Sequence, residues 1–413
     1  MITLSENQKK GLFIVFFVLF TLGTGYALYY FFFRPQGPVA PQLAEQPGYA
    51  EFGAAGERGE IPPYEIIGEG VLPEAQPTFQ EITDLGTSVT EPDETILRDE
   101  VTQALSLGPD GSARFYDPDT GRFYRIDENG NEIPLSTRQF YNVDEINWAA
   151  KSNEAILEFP DGNNIYYDFD DERQVTLPNH WQDFEFSPHD SQIVAKSVGL
   201  DEKNRFLITA NADGNEATAV YSMGANGDLV IPSWSPNNQV IGFSKTGQAL
   251  ADGAQQIVLL GKNHENFKAL DVPGRGFIPN WSPSGNKILY SVYHERDNLR
   301  PMLWVSDASG SDIGRNRKKL NIITWADKCA WADENTLYCG VPSDLPPGAA
   351  IDPAAFSQVS NDIYKINLST GISQKLDIQT SRAPVSNPFI SQDKTKFIFT
   401  DSSSGKLYSY DIN

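Results

Sequence analysis

Two unlike hydrophobic patterns divide the chain. From Gly11 to Phe33 every position is apolar or uncharged, bounded by Lys9 and Lys10 before and Arg34 and Pro35 after. Beyond about residue 95 the apolar positions come in runs of five or so, rich in Val, Ile, Tyr and Phe, separated by Gly, Pro, Asp and Asn. The first pattern predicts one long helix and the second predicts short β-strands joined by tight turns.

The strand pattern repeats. Trp234-Ser235-Pro236-Asn237-Asn238 precedes Val240–Ser244, and Trp281-Ser282-Pro283-Ser284-Gly285 precedes Lys287–Ser291. Phe186-Ser187-Pro188 leads into Gln192–Ala195, and weaker copies start at Leu107, Trp148, Trp331 and Ile390. Seven starts at intervals of roughly 40–60 residues match four-stranded propeller blades. Lettering strands a to d outward from the central channel, the aromatic ends strand a, the Ser-Pro turn follows, and strand b runs back antiparallel. Strand c follows, for example at Arg122–Ile126, Asn164–Asp168 and Met302–Ser306; strand d is exemplified by Arg173–Leu177 and Lys319–Ile323. The last unit ends after strand c, so its strand d must come from before the first blade, and Thr95–Val101 is placed to supply it. The fold class is therefore all-β: a seven-bladed β-propeller over 95–413, preceded by one transmembrane helix and a disordered linker.

These units resemble TolB-type propeller repeats, a WD-like family, through the W-S-P-x-G turn and its flanking strands. The resemblance covers most of 95–413 and implies the fold more than a function, since such repeats serve binding proteins and some peptidases alike. The domain that precedes the propeller in TolB has no counterpart here.

The helix at 11–33, at 1.5 Å per residue, spans roughly 34 Å, enough for a hydrocarbon core of ~30 Å. It is too long for a signal-peptide core, and aromatics occupy the place of a cleavage site; a cleaved signal is the alternative reading. Lys9 and Lys10 put residues 1–10 in the cytoplasm and the body of the chain outside, in the periplasm or at the cell surface. Residues 34–94 form an acidic, Pro/Gly-rich linker. Between Pro35 and Thr95 twelve carboxylates stand against Arg58 alone, which accounts for −11 of the net −23. Such a segment stays disordered and self-repelling. The patch Ile61–Ile67 is read either as a docking element or as plain linker.

The charge of −23 argues against nucleic acid as a partner. Arg315, Arg317, Lys318 and Lys319 are read as a charged edge strand. If Trp331 pairs with Leu337, Cys329 faces Cys339, within reach of a disulfide. Such a bridge suits an oxidising compartment, with two buried thiols the alternative. No nucleophile elbow, zinc motif or EF-hand loop occurs, so no catalytic residue, metal or cofactor is assigned. Asp127–Glu132 and Asp168–Asp171 are read as hairpin turns.

Loops b–c and connections d–a share one face. The b–c loops are tight in units one, two and seven and long in units three to six: Gly199–Asn204, Lys245–Ala254, His294–Pro301 and Ser343–Asn361. Long loops on a rigid scaffold are commonly functional, insertion tolerance being the bland alternative. The candidate binding residues on this face are Trp181, Arg275, Phe277 and Trp325 from the connections, with His294, Arg300 and Phe356 from the loops. Trp181 and Trp325 are expected to be exposed anchors for a protein or peptide. A glycan or cell-wall binder is the second reading and requires aromatic rings lining the channel. A propeller hydrolase or lyase is the third and requires facing carboxylates there. Oligomeric state and partner identity are not written in the sequence.

Overall fold

The computed structural model describes residues 50–51, 94–127, 129–376 and 382–412. The expected spanning helix at 11–33, the cytoplasmic residues 1–10 and the Ile61–Ile67 patch lie outside them. Among the described residues no helix is long and apolar enough to cross a membrane.

Seven antiparallel sheets succeed one another along the described chain. Blade 1 runs through Gln103–Leu107, Ala113–Asp117, Arg122–Ile126 and Glu132–Pro134, and blade 2 through Glu145–Trp148, Glu154–Glu158, Asn164–Asp168 and Arg173–Leu177. The innermost strands of blades 3 to 7 are Trp181–Phe186, Val230–Pro232, Arg275–Trp281, Cys329–Asp333 and Val385–Ile390. Ring closure follows the expectation: Glu94–Arg98 supplies the outermost strand of blade 7, antiparallel to Leu407–Asp411, with Glu94 opposite Tyr410. One element was not foreseen. Ala50 and Glu51, inside the stretch read as linker, pair in parallel with Tyr221 and Ser222 at the outer edge of blade 3.

Both faces of each sheet are buried against neighbouring blades, which is why the b strands read as continuous apolar runs and not as alternation. In Lys287–Tyr293, Ile288, Tyr290 and Val292 pack with blade 4, whereas Leu289 points the other way into blade 6. Seven apolar clusters fill the seven blade-to-blade interfaces.

The repeat residues have distinct physical roles. The Ser-Pro serine accepts the backbone N–H that opens strand b, as in Ser187 Oγ from Gln192 (3.1 Å), Ser235 Oγ from Val240 (2.9 Å) and Ser282 Oγ from Lys287 (3.1 Å), and Ser391 Oγ does the same for Lys396 (2.9 Å) without a proline after it. The tryptophan indole donates to the preceding blade: Trp148 to the Ala104 carbonyl (2.7 Å), Trp281 to Ser233 Oγ (3.0 Å) and Trp331 to Asn280 Oδ1 (3.0 Å). Trp234 instead caps its own turn through Asn238 Oδ1 at 2.7 Å. Gly285 takes φ +71°, and a Cβ there would lie 2.8 Å from the Asn237 backbone nitrogen. The turn can thus carry the 3.0 Å bond from Asn237 Nδ2 to the Gly285 carbonyl, joining blades 4 and 5.

Cys329 and Cys339 are directly opposite in blade 6 and form a disulfide. Asp127 and Asp168 bond the backbone N–H groups of their own turns, the turn chemistry read from the sequence. The Arg315–Lys319 run leads into the outermost strand of blade 5, Lys318–Ile323.

Candidate binding face at the channel mouth

The long b–c loops brace one another. His294 Nε2 and Arg296 both bond Asp252, tying the blade 5 loop to that of blade 4. Gly348 N–H donates to the Asn298 carbonyl (2.8 Å) and Ala350 N–H to the Leu299 carbonyl (3.1 Å), joining blade 6 to blade 5. Ser402 Oγ donates to the Ser357 carbonyl at 2.6 Å, continuing the chain of contacts to blade 7. At the other end the blade 3 loop helix Glu202–Asn204 packs on Gly224–Leu229. The result is a continuous wall over blades 3 to 7.

The anchors expected on this face are not exposed. Trp181 belongs to the first strand of blade 3, not to the connection before it, and packs against Phe184 and Leu177, only 6% exposed. Phe277 is buried between blades 4 and 5, its ring 5.4 Å from that of Phe243. Trp325 is 4% exposed and lies under the longest loop against Leu345, Ala349 and the half-buried Phe356. Burial wins because each ring meets a neighbouring element that a single repeat does not reveal. Arg275 does reach solvent, 3.8 Å from Glu295 and over the Tyr293 ring. His294 is used structurally, its Nδ1 accepting the Arg296 N–H at 3.0 Å. Arg300 is half-buried, and its Nε has no hydrogen-bond partner among the described residues.

Exposed apolar side chains replace the tryptophans. Of seven large hydrophobic residues exposed among the described residues, five lie on this face: Val101, Tyr141, Leu200, Leu229 and Ile351. The other two, Ile96 and Ile372, belong to outermost strands. They come from five separate loops around the ring, and only Leu200 and Leu229 are carried by adjoining segments, the helix Glu202–Asn204 after Leu200 packing on Gly224–Leu229.

Inside the wall, the inner strands of blades 1, 3, 5 and 7 shift register near their loop-face ends. Ala104, Asp183, Gly276 and Asn387 take left-handed φ values of 50°, 54°, 69° and 48° at these bulges. Bulges of this sort re-aim side chains. Two cavities follow from them. One, of about 510 Å³, lies between blades 7, 1 and 2 and is lined by hydroxyl and amide groups, among them Thr102, Asn387 and Ser402–Ser404. The other, of about 370 Å³, spans blades 2 to 4.

The second cavity is acidic. Glu145, Asp183, Glu185 and Asp228 line it, and Lys196 pairs with Asp183 at 2.6 Å. Glu158 stands beside it, taking a 3.0 Å bond from Asn147 Nδ2. Burial pushes the Glu185 carboxyl up to about 8 despite a hydrogen bond from the Trp234 N–H. Burial, then Glu145 and Asp183, push Glu158 up to about 7. Glu145 is raised for the same first reason, with Asp183 and Asp144 adding to it. Glu158 and Glu185 are half-buried and Glu145 is exposed, so water reaches all three, yet the protein around them is enough to disfavour their charged forms. Sequence reasoning passed over them. Their signal was the alternation Glu145-x-Asn147 and Asp183-x-Glu185, each with an apolar residue between, in inner strands. No group of three or more His, Cys, Asp or Glu among the described residues could hold a metal ion.

No sequence-family model matches the chain, and no curated protein does. Solved propellers do match its shape. The propeller domain of Cps50 (Swd1) from Myceliophteria thermophila has a TM-score of 0.52 at 10% identity, covering 79% of this chain and 99% of that one. An oligogalacturonate lyase from Vibrio parahaemolyticus has a TM-score of 0.53 at 12% identity, covering 81% and 97%. At such identities the likeness shows the seven-bladed fold alone.

Proposed function

We propose that this propeller is a protein-binding scaffold of TolB type, held outside the cytoplasm by the helix at 11–33, and that it binds through the face bearing the b–c loops. The observation that carries the reading is the gathering of Val101, Tyr141, Leu200, Leu229 and Ile351 on that one face. The mutual bracing of the loops supports it, because a pre-ordered surface loses less entropy on binding. The disulfide fits an oxidising compartment. The glycan reading required aromatic rings in the channel. Phe184 is the one aromatic lining either cavity among the described residues, and its ring is buried between blades 2 and 3. A hydrolase or lyase is the second reading, drawing on the raised carboxyls of Glu158 and Glu185.

The test uses the full chain in its own membrane, with a photo-crosslinking side chain at Leu200 or Ile351 and, as edge controls, at Ile96 or Ile372. The scaffold reading expects a discrete protein adduct from the first two positions and not from the controls. Equal labelling at all four positions, or none at the face, overturns it. Alkaline extraction that frees the chain from the membrane overturns the anchored part of the reading.

A further inference from the structure

The cavity between blades 2 and 4 has two unlike walls. Val230, Ile231 and Pro232 form an apolar wall; Glu145, Asp183, Glu185 and Asp228 form a carboxylate wall. Lys196 is more than nine-tenths buried, and its charge is met by Asp183 at 2.6 Å. Glu145, Glu158, Glu185 and Asp228 have no ion-pair partner among the described residues. The rim is apolar: exposed Leu229 adjoins Asp228, and its segment packs on the loop helix that follows exposed Leu200. An alkyl stem ending in a cation meets all three features, since its methylenes can lie on the apolar wall while its head is paired. A volume of about 370 Å³ is at the lower end of small-ligand pockets, room for a side chain and not for a folded element. The chain's own linker, carrying twelve carboxylates, is a poor occupant by charge.

We propose that this cavity receives a lysine or arginine side chain of the bound partner, its methylenes against Val230–Pro232 and its charge between Glu145 and Glu185. This rests on the protein-binding reading of the same face and names the chemistry of the residue at its centre. Apolar contacts at Leu200 and Leu229 surround that charge and exclude water, the arrangement in which a paired charge discriminates most between partners.

The full chain in lipid nanodiscs, labelled at isoleucine δ-methyls, is titrated at low salt with Nα-acetyl-lysine-N-methylamide, the arginine analogue, and the neutral norleucine analogue. Ile231, assigned through Ile231→Val, is the reporter. The proposal expects a saturable Ile231 shift with both cations and none with norleucine. Glu145→Gln with Glu185→Gln should weaken binding at least about tenfold. Asp171→Asn with Glu216→Gln replaces the same number of carboxyls in exposed turns on the opposite face and should leave binding unchanged. Thermal melts confirm that both double variants fold. Equal affinity in the two double variants, or an equal norleucine shift, overturns the proposal. Tighter binding after Arg58→Ala also overturns it, by showing that the chain's own linker fills the cavity. The two readings fail separately: cation binding without crosslinked adducts leaves the cavity and removes the scaffold, whereas adducts without cation binding do the reverse.

Discussion

Arg98 of the strand that closes blade 7 pairs with Asp117 of blade 1 at 2.8 Å, both side chains about 95% buried. Arg98 also reaches Glu132 at 3.1 Å and lies over the Phe115 ring, 4.8 Å from its centre. The ring closure read from the sequence as a strand clasp is thus also an ionic lock between the last blade and the first.

Breaking that lock should open the ring. Removing one partner of a buried pair leaves the other charged and unpaired, at a cost of about 3–5 kcal/mol. Arg98→Ala should lower the urea midpoint accordingly, and amide exchange should accelerate first in 94–98 and 407–411. Burial alone would raise the Asp117 carboxyl, but the Arg98 bond and the bonds from Thr120 bring it below its usual value. The sign is that of a depressed carboxylate: its stabilisation is present above about pH 4 and is lost as pH falls further. Asp117→Asn should remove that part of the acid sensitivity; an unchanged acid limb would refute it.

The Cys329–Cys339 bridge closes a short loop in the innermost and second strands of blade 6. Chain-entropy arguments give about 2–3 kcal/mol for a loop of this length. Cys329→Ser with Cys339→Ser should lower the melting temperature while leaving the fold intact, because both positions already sit in a buried apolar cluster. A melting temperature unaffected by the double change or by reductant would show that the ladder alone holds these strands.

What the sequence made legible follows the repeat. The closing strand follows from the fourth strand that the last unit lacks, and blade count and the cysteine register depend on local pairing, which the turns and flanking β-rich runs set directly. The fate of Trp181, Phe277 and Trp325 does not. Trp181 opens an inner strand, Phe277 is the third residue of one and Trp325 precedes one, and whether each ring faces solvent depends on the neighbouring blade or on a loop 20 or more residues away, as with Trp325 and Leu345–Ala349. The acidic cavity was hidden for the same reason. Glu145 belongs to the inner strand of blade 2, Asp183 and Glu185 to that of blade 3 and Asp228 to the connection before blade 4, and only the assembled blades bring them to one space.

Trp325 supports the longest loop from beneath, and its loss should uncouple that loop from the blades. Large aromatic-to-alanine changes at buried sites cost about 3–5 kcal/mol when the site cannot collapse. Here Leu345 and Ala349 sit on a loop free to settle, so Trp325→Ala should cost toward the lower end globally. Exchange protection of Gly348 and Ala350, whose N–H groups bond the blade 5 loop, should fall most. Uniform loss of protection across blade 6 would mean that the residue supports the blade and not the loop.

The channel carboxyls set an opposite pH dependence from that of Asp117. Glu158 and Glu185 hold their protons in the folded state up to about 7 and about 8, burial being the larger cause in each. In the unfolded chain both release them near pH 4.3. Between those values the native state binds more protons than the unfolded state, so this contribution is complete below about pH 4 and is lost as pH rises to about 8. The groups facing them are the Glu145 and Asp183 carboxyls, which favour protonation, and the Asp183, Phe184 and Trp234 N–H groups with the Asn147 amide, which oppose it. Glutamine at 185 keeps the shape and an acceptor for the Trp234 N–H while removing the titration. Glu185→Gln should therefore flatten the fall in urea midpoint between pH 5 and pH 8.5 and leave the variant the more stable protein at the alkaline end. Parallel profiles for the two proteins would mean that Glu185 is charged at neutral pH, and the cavity would then carry its full negative charge before any cation arrives.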